Sequence, residues 1–418
     1  MVKRNWAAVL LISVTLVIIS LLVYRLPAVQ QRAAWRLDFA LAYVRGIINP
    51  VSGVPTPLPP PAIGVTPNPT EDPTPTPTLA VAIDFTPGPT ETPRPSPTPL
   101  PQAVSLNPPT WEKQDINNCG PASMAMYLRY YGWEGDQFDL AELLKPQRQD
   151  RNVNVEELAY FVRTRAGWLN AEYRVGGDIE LLKKFLAAGI PVMIEESFYF
   201  EDPYWPNDDL WAAHYNLLTG YDDESQTFTG QDSFHGADQQ IPYDTLEEYW
   251  HSFNNVYVLV NPPEKEEAVI DILGEHWDIE TNRQLALGKY QSQVQSNPDD
   301  AFAWFNLGTN LVFFERYQEA AQAFDRAREL GLPQRMLRYQ FSPFFAYFHT
   351  RRIDDLMALT EYALQITPNA EEAMLWQGWG YFREGDTNAA IDSFQAALAE
   401  NPNYQDAQYA LDFVRQSQ

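Results

Sequence analysis

The sequence predicts an α+β domain followed by an all-α repeat domain, both placed behind an apolar N-terminal segment and a proline-rich tract. Three observations predict this order. An apolar run lies near the start, helical spacing of apolar residues gives way to strand-like segments in the middle, and a motif recurs at a fixed interval in the last third. The predicted boundaries are 1–27, 28–104, 105–263 and 264–418.

The N-terminal apolar run extends over residues 6–24. A helix of this length spans about 28 Å, which is enough to cross the hydrocarbon core of a membrane. We therefore expect a single-pass anchor in residues 1–27, with the remainder of the chain outside the cytoplasm. A cleaved signal peptide is the alternative, but residues 23–27 lack the small side chains of a cleavage site. Residues 33–48 combine aromatic residues with arginines and form either an interfacial or a plain juxtamembrane helix.

The proline-rich tract extends over residues 50–101, of which 18 are proline. Proline lacks a backbone N–H and fixes φ, so neither a sheet nor a long helix forms through such a segment. The sequence therefore predicts a juxtamembrane segment and a disordered Pro/Thr-rich linker over residues 28–104. As an extended spacer, the linker would hold the following domains away from the membrane.

Two global properties exclude classes of function. The formal net charge of −26 argues against a nucleic-acid partner, because phosphate binding needs a basic surface. The single cysteine, Cys119, excludes an intramolecular disulfide and a four-cysteine zinc site. Acidic pairs in predicted loops lack the spacing of a calcium loop, so we predict no metal and no cofactor. These pairs are Asp208, Asp209, Asp222 and Asp223.

The α+β class rests on the order of the elements. Apolar residues at helical spacing predict a first helix that ends at Gly132. These apolar residues are Met124, Ala125, Leu128 and Tyr131. Further helices are predicted near residues 154–166 and 178–188, and three strands follow over 191–200, 214–221 and 226–232. Helices first and strands afterwards favour an α+β arrangement.

The last third repeats a pattern of small and aromatic residues. Gly274 and Gly308 are 34 residues apart, and Gly378 lies a further 70 residues on, which leaves room for one degenerate unit. This pattern resembles the tetratricopeptide repeat over residues 267–404, followed by a capping helix. Such repeats usually form a concave binding surface, so the domain is either a protein-binding module or a passive brace.

The segment around Cys119 has the features of a thiol nucleophile. Cys119 precedes a predicted helix with Pro121 in its first turn. Unpaired amides and the dipole at a helix N-terminus stabilise a thiolate, which is the reactive form. Gly120 would let a substrate carbonyl approach the backbone, and Gln114 with the Cys119 amide would donate to the developing oxyanion.

A candidate base and its orienting group lie on two predicted strands. His214 begins one strand and Asp232 ends the next. A connecting loop of three or five residues would place the two side chains opposite each other, whereas an even loop would put them one position out of register. A carboxylate that orients a histidine is typical of hydrolases. We therefore predict His214 as the base and Asp232 as the residue that orients it.

These motifs, in this order, resemble a known family. Gln-x-x-x-Asn-Cys-Gly-Pro-Ala-Ser, His-Tyr before Gly-Tyr-Asp-Asp, and Gln-Asp-Ser are similar to the peptidase domain of the bacterial bacteriocin-processing cysteine peptidases, family thirty-nine, in its stand-alone branch. The resemblance implies a papain-like fold over residues 105–263. It implies that Cys119 is the nucleophile and that His214 is the general base and acid. It also implies that Asp232 orients His214 and that Gln114 is the oxyanion donor. Gln114 lies five residues before Cys119, one fewer than in the transporter-fused members that cleave leader peptides after a double glycine.

Three functions follow as hypotheses. The first is a membrane-anchored cysteine peptidase that hydrolyses peptide or isopeptide bonds of a peptide or protein substrate, with the repeats recruiting a protein partner. The second is a catalytically silent scaffold at the cell surface, and the third is an acyl transferase that uses the same cysteine. The aromatic, acidic loop over residues 198–211 forms either a substrate rim or a loop packed on its own aromatic side chains.

Overall fold

A computed structural model describes residues 13–15, 27–59, 99–147, 150 and 152–417. The predicted membrane span over residues 6–24 therefore lies almost entirely outside the described residues. Within the described ranges, no helix is both long enough and apolar enough to cross a membrane. The helix before the proline-rich tract is α1 (Pro27–Ile48).

The middle domain is built on a seven-stranded antiparallel sheet in the described part of the chain. Its strands are β1 (Ala103–Ser105), β2 (Asn170–Arg174), β3 (Val192–Tyr199), β4 (Trp211–Asp222), β5 (Thr227–Asp232), β6 (Gly236–Pro242) and β7 (Tyr257–Asn261). The strand order is β2-β7-β3-β4-β5-β6, with β1 paired to β4. The helices of this domain are α2 (Cys119–Tyr130), α3 (Gln137–Leu144), α4 (Val155–Arg165), α5 (Ile179–Ala187), α6 (Tyr243–His251) and α7 (Glu266–Leu273).

Both faces of the central strands β3 and β4 are buried, so polar side chains such as Glu195, Glu196 and His214 lie in the interior together with the apolar ones. Successive residues of a strand point to opposite faces. Met193 accordingly lies in a core formed with α2 and α4, while Ile194 lies in a second core formed with α5 and α7. Leu217 and Leu218 of β4 divide between the same two cores.

The mixed helix-and-strand prediction for this domain is confirmed, with changes at the ends of elements. The first helix ends where expected, and Gly132 adopts a φ of +90°, which favours glycine. Strand β4 begins at Trp211, three residues before its predicted start, so His214 lies inside the strand. The packing also extends past both predicted boundaries, because β1 begins at residue 103 and α7 contributes Leu273 to the second core.

The C-terminal domain consists of consecutive, mutually packed helices. They are α8 (Ile279–Ser296), α9 (Ala301–Phe313), α10 (Tyr317–Leu330), α11 (Met336–Tyr339), α12 (Ser342–His349), α13 (Ile353–Ile366), α14 (Glu371–Glu384), α15 (Thr387–Glu400) and α16 (Gln405–Gln416). The pairs α9–α10 and α14–α15 match two predicted units, α12–α13 matches the degenerate unit, and α16 follows as the final helix. The helical-repeat prediction is therefore confirmed.

The recurring small residues let the paired helices approach closely. A Cβ atom at Gly308 would lie 2.6 Å from the ring of Phe324, and one at Gly378 would lie 2.5 Å from the ring of Phe394. Both phenylalanines lie sixteen positions after their glycine. Close-packed interiors leave no room for an added methyl group at such a contact, so each ring requires its glycine.

The two domains meet at a buried ion pair. Arg335 contacts the carboxylate of Asp208 through Nη1 at 2.5 Å and Nη2 at 2.6 Å, and both side chains are fully buried. Arg335 also lies 4.0 Å from the ring centre of Trp205 and donates to the Trp211 carbonyl. The loop over residues 198–211 therefore packs against the repeat domain as well as on its own aromatic side chains.

Residues 50–58 are attached to the repeat domain, which differs from the spacer predicted to begin at residue 50. Val54 is buried, and Arg328 of α10 donates to the carbonyls of Pro55 and Thr56. Proline carbonyls remain acceptors although proline cannot donate, so a buried arginine can hold such a segment. Helix α1 packs instead against the 198–211 loop of the sheet domain, since the rings of Phe39 and Tyr204 lie 5.1 Å apart.

Candidate active site

Cys119 is the first residue of α2 and lies partly buried at the edge of the first core. The loop before it is held by Gln137 of α3. The side-chain oxygen of Gln137 accepts hydrogen bonds from the Asp115 amide at 2.6 Å and from Asn118 Nδ2 at 2.8 Å. Asn117 adopts a φ of +52°, which turns the chain into the helix. The nucleophile loop is therefore positioned by a buried amide rather than by an N-cap side chain.

Lys145 supports the same loop from the opposite side. Its buried ammonium donates to the carbonyls of Asn117 at 2.8 Å and Asp150 at 2.9 Å. This positive charge also contributes to lowering the pKa of the Cys119 thiol. One side chain thus fixes the backbone and stabilises the thiolate.

Gly120 is closely packed beside Tyr215. The residue is buried, and a Cβ atom at this position would lie 3.2 Å from the ring of Tyr215. The expectation that Gly120 leaves room for a substrate carbonyl stays a prediction. Tyr215 also places its backbone amide against the Cys119 sulfur, which helps to lower the thiol pKa.

The structure brings His214 and Asp232 together, but not as directly opposed residues. His214 Nε2 lies 2.8 Å from Asp232 Oδ1. In the ladder, however, Asp232 lies opposite Asn216, so the directly opposed arrangement expected for a loop of three or five residues does not occur. The loop between β4 and β5 has four residues, and a bulge at Thr219 restores the parity that an even loop removes. The two side chains consequently share one face and meet along a diagonal.

The electrostatics favour a charged pair at neutral pH. Burial alone would raise the pKa of the Cys119 thiol, but the hydrogen bond and charge of His214 outweigh it and lower that pKa. Burial disfavours the His214 cation, yet hydrogen bonds to Asp232 and Cys119 raise the pKa of His214 to about 10. Despite its own burial, Asp232 has its pKa held well below the usual range by His214 and His235. The contacts therefore favour a Cys119 thiolate beside a His214 imidazolium, which in turn contacts the Asp232 carboxylate.

Gln114 lies beside the end of β5, where Ser233 holds it. The backbone amide of Gln114 donates to the Ser233 carbonyl at 2.9 Å, and its side-chain oxygen accepts from the Ser233 hydroxyl at 2.9 Å. These contacts orient the side-chain amide and leave its Nε2 donor without a hydrogen bond among the described residues. The predicted donation from Gln114 to an oxyanion stays a prediction.

His235 was not assigned a role from the sequence. Its Nδ1 lies 2.7 Å from Asp232 Oδ2, while His214 uses Oδ1 of the same carboxylate. His235 is 47% exposed, whereas His214 is 2% exposed. The spacing of three residues after Asp232 is the sequence signal that could have identified it. Asp232 is therefore held from both sides by histidines, one buried and one near solvent.

Aromatic side chains surround the histidines. The ring of Phe198 lies 5.2 Å from that of His214, 5.7 Å from that of Phe234 and 6.1 Å from that of His235. Phe234 is exposed, so the cluster reaches the surface. The start of the 198–211 loop thus lies beside the candidate base, and a substrate rim there stays one of its two predicted roles.

Two buried carboxyl groups of β3 lie behind the site and were also missed. Glu196 is paired with His214 across the strands and accepts a hydrogen bond from Asn216 at 3.2 Å. Burial raises the pKa of Glu196 to about 7. Burial, with a smaller effect of Cys119, raises the pKa of Glu195 well above its usual value. The raised pKa of Glu195 favours its neutral form, which avoids repulsion with the thiolate.

Metal ligation finds no support in the described ranges of the chain, where no group of three His, Cys, Asp or Glu side chains is placed to hold an ion. Two of the acidic loop residues instead contact the repeat domain. Asp208 pairs with Arg335, and Asp209 accepts from the Gln334 amide at 2.6 Å. These carboxylates have structural partners at the domain junction.

The fold and the site together define a cysteine-peptidase-like α/β domain joined to helical repeats. Residues 99–258 match the model of the Peptidase_C39 like family, and residues 372–404 match a tetratricopeptide repeat model. The family resemblance stated from the motifs is therefore confirmed for these two segments. The sequence matches no curated protein.

Solved structures show likenesses to each half of the chain. A protein described as a C39-like peptidase from Bacillus anthracis is 20% identical, with 38% of this chain and 98% of that chain covered, at a TM-score of 0.31. Xylellain, a cysteine protease from Xylella fastidiosa, is 16% identical, with 39% and 87% covered, at a TM-score of 0.31. YrrB, a tetratricopeptide repeat protein with an unusual peptide-binding site, is 18% identical, with 36% and 82% covered, at a TM-score of 0.29. At these values the likenesses do not extend to function.

Proposed function

We propose that this protein is a thiol hydrolase of peptide or isopeptide bonds, with Cys119 as its nucleophile. The supporting observation is the continuous set of contacts from the Cys119 thiol through His214 to Asp232. A lowered thiol pKa beside a histidine cation is the condition that activates a cysteine nucleophile. We include a papain-like fold for residues 105–263 in the same proposal.

The geometry suggests a sequence of steps. The Cys119 sulfur attacks the carbonyl carbon of the substrate, and the carbonyl oxygen becomes an oxyanion near the Cys119 amide and Gln114 Nε2. The His214 cation then gives its proton to the leaving amine as the C–N bond breaks, which leaves a thioester on Cys119. Water next attacks the thioester carbon while His214 accepts its proton. The C–S bond then breaks, which releases the carboxylic acid product and restores the Cys119 thiolate beside the His214 cation. Asp232 holds His214 through Nε2, so Nδ1 is the nitrogen directed to the thiol.

The location and the repeat domain complete the proposal. The apolar run over residues 6–24 supports a single-pass anchor in the cell membrane, with residues 99–417 on the extracytoplasmic side. The helical repeats support a protein-binding role beside the hydrolase domain. A Pro/Thr-rich linker between the anchor and the hydrolase domain is retained for residues 60–98.

Reaction of the full-length chain with an electrophilic thiol probe tests this function. Cys119 is the single cysteine, so any labelling reports on this residue alone. We expect rapid labelling near neutral pH, since the lowered thiol pKa increases the thiolate fraction in the folded protein, and slower labelling after denaturation. The variant Cys119→Ala provides the blank. A native protein that labels no faster than its denatured form would contradict the proposal and favour the silent scaffold.

Product analysis separates hydrolysis from acyl transfer. A labelled peptide library incubated with the active chain should yield free carboxylates when water accepts the acyl group. Adding a primary amine should not divert the product. Quantitative capture of the acyl group by the amine would instead support the transferase.

A further inference from the structure

Residues 50–58 lie across the second helices of two successive repeat units, α10 and α13. Arg328 of α10 donates to the Pro55 carbonyl at 2.7 Å through Nε and to the Thr56 carbonyl at 2.9 Å through Nη2. Asp355 of α13 accepts from the Leu58 amide at 3.1 Å. These contacts reach the main chain of the segment, so they recognise an extended backbone rather than particular side chains.

Further contacts extend this recognition toward the start of the segment. Tyr362 donates its hydroxyl hydrogen to the Ser52 carbonyl at 3.1 Å, and Gln365 Nε2 donates to the Pro50 carbonyl at 3.1 Å. Val54 is 8% exposed and belongs to the main hydrophobic core. The segment is therefore held by four polar side chains of the repeats and anchored by the buried side chain of Val54, and Val51 packs, partly buried, against the same core.

The arginine at the centre of this site is fixed by its own domain. Arg328 Nη1 donates to the Tyr347 hydroxyl at 2.8 Å and to Asp355 Oδ1 at 2.9 Å, and its side chain is 1% exposed. Arg352 contacts the other oxygen of Asp355 at 2.7 Å. A buried guanidinium held this way has its remaining N–H groups directed in advance, which lowers the cost of binding two carbonyls.

The contacts define the chemistry of a suitable ligand. Four of the five hydrogen bonds to the segment end on its carbonyls, and one begins at its Leu58 amide. Proline at 55 and 57 supplies carbonyls without N–H groups that would need partners, and it holds the chain extended before binding. The segment contains no charged residue, and the sequence Pro-Thr-Pro-Leu-Pro at 55–59 occurs again at 97–101.

We propose that this surface is a binding site for uncharged, extended, proline-containing peptides and that the chain's own residues 50–58 occupy it. We name the surface formed by Arg328, Asp355, Tyr362 and Gln365 the proline-peptide site. The proposal deepens the protein-binding role proposed for the repeats and does not depend on the chemistry of Cys119. A free peptide of the same sequence must compete with an internal ligand whose effective concentration is about millimolar.

The test uses the full-length chain and a fluorescent peptide with the sequence of residues 50–59. The variant Val54→Asp removes the apolar anchor from the internal segment and leaves the proline-peptide site unchanged. We expect this variant to bind the peptide at least about tenfold more tightly than the wild type, because the internal competitor is released. A matched peptide with aspartate at the position of Val54 should not bind.

A second variant tests the site itself. In the Val54→Asp background, Arg328→Lys keeps the positive charge beside Asp355 but loses the planar fork that reaches two carbonyls. We expect the peptide affinity to fall about tenfold or more, a loss of the size expected for hydrogen bonds from a charged group. Peptide binding that is unchanged by Arg328→Lys would overturn the proposal.

Hydrogen exchange at the Leu58 amide reports on the internal segment in the same samples. The amide should be protected in the wild type and should exchange faster in Val54→Asp. An unprotected amide in the wild type, or protection that persists in the variant, would contradict internal occupancy with Val54 as anchor. Release of the segment without peptide binding would likewise reject the proposal. Cys119 labelling, measured in parallel, should not change, so failure here is distinguishable from failure of the hydrolase proposal.

Discussion

Two histidine–aspartate contacts, one in the sheet and one at the domain junction, share the same chemistry but differ in their surroundings. His214 lies 2.8 Å from Asp232, and His251 lies 3.1 Å from Asp300. The sheet pair is 2% and 7% exposed and lies beside Cys119, whereas the junction pair is 18% and 24% exposed. A histidine held by a carboxylate is therefore not by itself a catalytic feature.

The junction pair has a structural task. His251 ends α6 of the sheet domain, and Asp300 caps the N-terminus of α9 by accepting from the Ala303 amide at 2.9 Å. Burial would raise the pKa of Asp300, but the hydrogen bond from His251 and those from the helix amides lower it. The neighbouring thiol, rather than the histidine–aspartate pair itself, therefore distinguishes the candidate site.

Replacing each histidine in turn should give the largest difference between the two pairs. His214→Ala should reduce Cys119 labelling at pH 7 by about 10²–10⁴-fold, the usual contribution of a positioned acid–base group. His251→Ala is the matched control and should stay within about twofold of the wild type, since a distant surface-side substitution rarely alters another site. Equal losses in the two variants would show that labelling reports on folding rather than on the site.

The pH dependence of Cys119 labelling should give the next largest effect. The lowered pKa of Cys119 keeps the thiolate present as the pH falls below the usual thiol value, and the pKa of His214 near 10 keeps the imidazolium present as the pH rises. Labelling should therefore rise less steeply with pH than the labelling of an ordinary thiol, which gains about tenfold per unit below its pKa.

Asp232→Asn should restore a steep profile. Without the carboxylate the His214 cation is less stable, so the thiol pKa rises and labelling at about pH 6.5 should fall about 10- to 100-fold. The deficit should shrink as the pH increases toward the ordinary thiol pKa. A deficit that stays constant with pH would indicate lost geometry instead of a shifted proton equilibrium.

The second histidine on Asp232 should produce a smaller effect. His235→Ala removes a hydrogen bond to a carboxylate, which contributes about 1 kcal/mol for a half-exposed group, and should slow labelling about fivefold. His235→Asn can place an amide donor near the same position and should recover most of the rate. A positioning role also predicts a shift of the pH profile toward alkaline values in His235→Ala. Loss of rate without such a shift would argue against it.

The smallest effect concerns stability at the junction. His251→Ala should lower the free energy of unfolding by about 1 kcal/mol, since one hydrogen bond to a partly exposed carboxylate is lost. The lowered pKa of Asp300 means that this contribution is present at neutral pH and disappears as the pH falls toward the lowered value. Denaturant unfolding of the wild type and the variant should show a difference that persists from pH 7 down to about 3.9, the ordinary carboxyl value, and that narrows only below it.

The sequence predicted the structure correctly where a local pattern of residues determined that structure. Helix-forming spacing before Gly132 and the repeated glycines at 308 and 378 predicted helices and their close packing. The motif around Cys119 and the interval between His214 and Asp232 predicted which residues meet.

Other features depended on distant contacts. The bulge at Thr219, which sets the diagonal contact of His214 with Asp232, has no distinct sequence signal. Proline-rich composition is similar inside and outside residues 50–58, so it could not show that Arg328, over 270 positions later, holds part of the tract. His235 was missed because an exposed histidine in a turn is usually solvated.

Attachment of residues 50–58 changes what a break in the chain would do. The segment is fixed to the repeats on one side, and β1 fixes the chain to the sheet on the other, so residues 60–98 join two held ends. A protease that cut once within 60–98 would leave the N-terminal fragment bound to the two domains through α1 and Val54. Cleavage there would nick the protein without shedding it.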